Sequence, residues 1–122
     1  MSKRENISSG SPWEDKIGYS RAVRIGNTIE LSGTTAPGDT LEEQTTGVIE
    51  LAKKVLEENG ASLKDVVRTR IFTTDISQWE KIGEVHGKYF GNVKPVTTMV
   101  EISKLIDPAI VIEIEFTAVI TE

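Results

Sequence analysis

The sequence predicts an α+β fold, a mixed sheet with two helices on one face and elements in the order ββαβαββ. Three observations carry this. The runs RAVRIGNTIELSG, VVRTRIFTTDI, VTTMVEIS and IEIEFTAVI are rich in β-branched residues and alternate in polarity. Two stretches between them place apolar residues at helical spacing behind capping signals. Each such helix has one apolar stripe to cover, and an alternating sheet has one apolar face to offer.

The first hairpin spans residues 21–33. A two-residue loop would set Ile25 against Thr28 and Val23 against Glu30. A loop of Gly26 to Thr28 pairs Ile25 with Ile29 and Val23 with Leu31, so that register is expected, with Arg24 across from Glu30 and Ser32 on the polar face. The first helix opens with Thr40 and Glu43, a TxxE capping box, and carries Val48, Leu51, Ala52, Val55 and Leu56 on its stripe. Glu42 and Glu43 suit its positive end and Lys53 and Lys54 its negative end, and Asn59-Gly60 stops it.

The strand from Val66 has faces Val67, Thr69, Ile71 and Arg68, Arg70, Phe72. Ser77 and Glu80 form a second capping box before a helix that puts Trp79, Ile82, Val85, Tyr89 and Phe90 largely on one side and ends at Gly91. In the last two strands Val96, Thr98, Val100 and Ile102, then Ile112, Ile114, Phe116 and Ala118, are expected to face the helices. Thr97 and Glu113 then share the other face, which also carries Met99 and Phe72. Asp107-Pro108 in the KLIDPA connection marks a turn. An exposed face mixing large apolar side chains with threonines and carboxylates points to association with further copies of the chain.

The 122 residues suit one domain, 1–122, and 38% hydrophobic with 27% charged residues is a soluble globular composition. No apolar run is long enough to span a bilayer, and the polar start MSKRENISSGSPWEDK lacks the apolar core of an export signal, so the expected location is the cytoplasm. With no cysteine and one histidine, thiolate chemistry is excluded and a transition-metal site is not expected. The net charge of −5, without a basic cluster, argues against nucleic acid as a partner.

IGYSRAVRIGNTIELSGTTA, RTRIFTTDISQWEKIGEVHGKYFG and PVTTMVEISKLIDPAIVIEIEFTAV, in that order, resemble the RidA/YjgF (Rid, L-PSP) family over nearly the whole chain. The resemblance implies a homotrimer in which three sheets form a barrel. It also implies small-molecule clefts between subunits and cofactor-independent hydrolysis of reactive enamines and imines to keto acids and ammonia. Carried over by position, the cleft tyrosine matches Tyr19, the cleft serine Ser32 and the water-positioning glutamate Glu113. The family's Pro-Ala-Arg-Ser, whose arginine holds the substrate carboxylate, reads Pro95-Val96-Thr97-Thr98 here, and a cleft asparagine falls on Gly83. A threonine replaces neither the charge nor the two-pronged reach of a guanidinium, and losing such an anchor costs about 2–5 kcal/mol where the pair is desolvated.

Activity on imino acids is therefore expected to be weak, and a neutral or amine-type ligand is expected over an anionic one. Arg70 and Arg24 are the candidates for a replacement cation, although a cross-strand ion pair suits Arg70 better. Thr98 lies beside Thr97, and Trp13 with Glu14 either lids the cleft or anchors the N-terminal arm. His86, one turn from Ile82 and Phe90, reads as a packed helix-face histidine. Three functions compete: a deaminase-type hydrolase, a non-catalytic small-molecule-binding trimer, and an endoribonuclease that the acidic charge disfavours.

Overall fold

The computed structural model describes residues 3–121. The elements are β1 (Arg4–Ile7), α1 (Pro12–Ile17), β2 (Ala22–Ile25), β3 (Thr28–Thr34), α2 (Leu41–Glu58), β4 (Val66–Thr73), α3 (Trp79–Phe90), β5 (Val96–Glu101) and β6 (Ile112–Val119). One six-stranded sheet runs in the order β1-β2-β3-β6-β4-β5, antiparallel except for the parallel pair β4 and β5. The mixed sheet is the one expected, extended at the start by β1 and α1. The polar segment RENI has no pattern of its own; it becomes a strand because the edge of β2 offers it a ladder.

Two long helices cover one face of the sheet. Ile112, Ile114, Phe116 and Ala118 of β6 are fully buried under them, as the alternation of that strand requires. Phe116 meets Phe90 of α3 with ring centroids 6.5 Å apart. On α2 the buried stripe is Thr45, Val48, Ile49, Ala52 and Leu56, rotated from the expected one, so that Leu51 lies exposed and Ile49 inside. Thr40 caps α2 as expected, its hydroxyl accepting from the Glu43 N–H at 3.1 Å. Gln44 donates to the carbonyls of Gly38 and Ala109 and accepts from the Val111 N–H, which ties the loop between β5 and β6 to α2.

Four expectations are corrected. The first hairpin has the two-residue loop after all, with Arg24 opposite Ile29 and Val23 opposite Glu30. Gly26 starts that turn at φ +59, which suits the twist of the strands. Arg24 consequently faces the helices, where its Nη1 donates to the Asn59 carbonyl at the end of α2 at 2.6 Å. It supplies the positive charge there, since the last turn of α2 has no basic residue of its own.

The second correction is a bulge in β4 between Val66 and Arg68: Val66 is buried and Val67 exposed. Third, the helical path after β4 begins at Asp75, whose carboxylate accepts from the Ser77 N–H at 3.1 Å, in place of a Ser77 and Glu80 box. Trp79 at the head of α3 is exposed.

The fourth concerns the site. β5 pairs in parallel with β4 so that Thr97 lies beside Thr69 and Met99 beside Ile71, residues that face the helices. Thr97 and Met99 therefore point to the helix face, and Val96, Thr98 and Val100 to the open face with Arg70, Phe72, Glu113 and Glu115. Thr97 and Glu113 do not share a face. Parity within a strand is local, but which parity turns inward is set by the neighbouring strand.

Candidate functional site

Glu113 sits on β6 with its carboxyl pressed against β3. The backbone irregularity between Leu31 and Thr34 brings Gly33 so close that a Cβ there would lie 2.7 Å from Glu113 Cδ. A side chain at this position would have to displace the Glu113 carboxyl. Glu113 is half-buried, and its pKa is raised chiefly by burial and further by the charge of Glu115, with Arg21 opposing. No hydrogen bond contributes to the shift. The carboxyl opens into a recess of about 300 Å³ that Lys104, Asp107, Ile106 and Ile110 also line.

Tyr19 and Ser32 are brought together at a second recess, of about 340 Å³, across the start of β2 and β3. The Ser32 hydroxyl donates to the Ser20 carbonyl at 2.6 Å, leaving its lone pairs available. Ser32 is adjacent to Gly33, which packs against Glu113, although the two recesses share no lining residue. Arg21 belongs to the same group: its Nη2 donates to the Gly33 carbonyl at 3.0 Å, and its buried Nε has no partner. Neither Arg21 nor Lys104 was anticipated. For Arg21 the signal was its place two residues after Tyr19, on the way into β2.

Thr97 lies elsewhere. It is exposed on β5, the edge strand, with its hydroxyl 2.8 Å from that of buried Thr69, which in turn is 2.9 Å from His86 Nε2. His86 is the packed helix-face histidine expected, its ring centroid 4.7 Å from that of Phe90, and burial lowers its pKa. Thr98 is exposed on the open face next to Arg70. Arg70 pairs across the strands with Glu115 at 3.6 Å and Arg24 caps α2, so neither stands beside Thr97.

Trp13 is exposed on α1 with the Lys16 ammonium 5.5 Å from its ring centroid. Glu14 is the anchor of the N-terminal arm: it is 7% exposed and accepts from the Ser9 N–H and hydroxyl, which lower its pKa. Among the described residues no cluster of three or more His, Asp or Glu side chains could hold a metal ion, and no helix is long and apolar enough to cross a membrane.

A mixed six-stranded sheet with two long helices on one face and a half-buried glutamate on β6 lining a recess defines a class of small α+β protein. The family model "Endoribonuclease L-PSP" matches residues 13–120. The crystal structure of a Mycobacterium tuberculosis member of the YjgF/YER057c/UK114 family superposes with a TM-score of 0.94 at 48% identity, covering 97% of this chain and 100% of that one. A RutC family protein of Pyrococcus abyssi is 41% identical over 96 residues, 71% of this chain and 75% of its own. The 2-iminobutanoate/2-iminopropanoate deaminase of Dermatophagoides farinae is 34% identical over 95 residues, 71% of this chain and 74% of its own. The chain belongs to the RidA/YjgF family.

Proposed function

We propose that the chain acts as a homotrimer with a small-molecule cleft between neighbouring subunits, and that it hydrolyses a reactive enamine or imine to a carbonyl compound and ammonia. The observation that carries this is Glu113, half-buried, raised in pKa and lining a recess, while Ser32, next in the chain to the Gly33 that packs on it, lines a separate recess with Tyr19. A carboxylate in that setting holds a proton more tightly than an exposed one and is a better general base near neutral pH. The deaminase name of a family member adds support.

Thr97 and Glu113 face opposite ways within one chain, so a cleft that uses both draws them from two subunits. The exposed edge position of Thr97 is suited to this. In the reaction, water adds to the carbon of the C=N bond as Glu113 takes one of its protons. The nitrogen takes a proton from solvent to give the carbinolamine, Glu113 returns its proton to that nitrogen, the C–N bond breaks with loss of ammonia, and the hydroxyl proton passes to solvent so that the oxygen from water remains as the carbonyl. Ser32 and Tyr19 orient the substrate through their hydroxyls.

With Thr97 in the arginine's place, a neutral imine is preferred over an imino acid. The test is ammonia release from a neutral imine and from dehydratase-generated iminopropionate. Wild type should favour the neutral substrate, and Glu113→Gln should slow its hydrolysis about 100-fold or more. Equal, background-level rates in wild type and Glu113→Gln would leave a binding protein without turnover. The endoribonuclease reading has no support in the net charge of −5 and the single histidine.

A further inference from the structure

A line of hydrogen bonds runs from the interior to the sheet edge. His86 Nε2 is 2.9 Å from the Thr69 hydroxyl, Thr69 is 2.8 Å from Thr97, and the Thr97 hydroxyl is 3.3 Å from the Pro95 carbonyl. Each hydroxyl has one proton to give and a carbonyl has none. The contact to Pro95 uses the proton of Thr97, so the contact between the threonines uses that of Thr69, and His86 must donate from Nε2. This direction satisfies all three contacts. The reverse direction leaves the Pro95 contact without a proton.

Burial keeps the imidazole uncharged at neutral pH, so a single tautomer, Nε2–H, is selected by the chain. The last contact, to Pro95, is the longest and lies at the exposed end. An acceptor on a ligand can take that proton in its place. Thr97 itself is exposed on the edge strand, so that end of the line is open to a ligand.

We infer that His86 and Thr69 are positioning residues that hold Thr97 as an outward hydrogen-bond donor, and that this end of the cleft takes an uncharged carbonyl or amide oxygen. The inference rests on the reading of Thr97 as part of a small-molecule cleft and names the ligand group it meets. A hydroxyl satisfies a neutral oxygen in one bond. A carboxylate brought to the same place loses hydration against a donor chain that carries no charge.

Pyruvamide and pyruvate are suitable probes, titrated separately into the full chain labelled with ¹⁵N. The sequence has one histidine, so its ring nitrogens are read without assignment. The expected results are an Nε2–H tautomer in the wild type and pyruvamide binding about 10-fold tighter than pyruvate, or about 1.4 kcal/mol. Thr69→Val should bring the two affinities to within about 2-fold and mix the tautomers, and Thr69→Ser should restore both.

An Nδ1–H tautomer in the wild type overturns the inference, and so does pyruvate binding as tightly as pyruvamide. An unchanged preference in Thr69→Val, or no binding of either probe at millimolar concentration, overturns it too. Binding and turnover are measured apart. If the preference holds while the wild type releases no ammonia, the hydrolase reading fails alone; if Glu113→Gln loses turnover while the preference is absent, the positioning inference fails alone.

Discussion

Glu113 owes its raised pKa to burial and to the neighbouring charge of Glu115. The carboxyl lies against β3 at Gly33, half-buried, and the partial loss of hydration raises its pKa. The sign for stability follows from linkage. A carboxylate whose folded pKa lies above its unfolded value favours the folded state most below the unfolded pKa and loses that contribution as pH rises through the folded pKa. For catalysis the sign is opposite, since only the deprotonated form accepts a proton. The rate of hydrolysis should fall as pH drops through a midpoint above the ordinary carboxylate range. A pH profile flat down to that range would show that Glu113 is not the base. His86, lowered by burial, adds the reverse stability trend: its contribution is complete above the ordinary imidazole pKa and declines as pH falls through its folded value.

At the scale of elements, β5 shows how a correct strand assignment can still misplace a side chain. VTTMVEIS alternates whichever way it is turned, with valines on one face and Thr97 and Met99 on the other. The parallel register with β4 decides, and it seats Thr97 against Thr69. A run with threonine and methionine opposed to valines gives no clear inward face. Arg24 is a similar case. In the expected hairpin it lay across from Glu30, and in the observed register it becomes the cap of α2. Arg24→Met, which keeps much of the stem, should lower stability by about 1–2 kcal/mol and speed amide exchange in the last turn of α2. An unchanged denaturation midpoint would mean that the Asn59 carbonyl is as well served by water.

For the whole molecule, the open sheet face leaves Val96 56% and Val100 40% exposed, alongside Phe72 and the pair formed by Arg70 and Glu115. Association would remove that apolar area from water and, in the proposed arrangement, bring Thr97 of one chain toward Glu113 of another. Analytical ultracentrifugation should give three times the 13.4 kDa mass of the chain. Val100→Asp should shift the distribution toward single chains and abolish ammonia release with it. A wild type that sediments as one chain would leave the two residues on separate faces and remove the shared cleft.

The sequence by itself determined the order of the main strands and helices, the buried face of β6, the Thr40 cap and the family, because periodicity, capping and motif spacing are properties of short stretches of chain. It also placed Glu113, Ser32 and Tyr19 among the candidates, through the resemblance. The cross-strand ion pair of Arg70 was legible too, but only the tertiary structure decided that Thr97 and Glu113 part company, that Arg24 is occupied at the end of α2, that Arg21 joins the Glu113 group, and that Thr69 links Thr97 to His86. Those outcomes depend on strand register and on contacts between residues far apart in sequence, where a shift of one position turns a side chain to the opposite face.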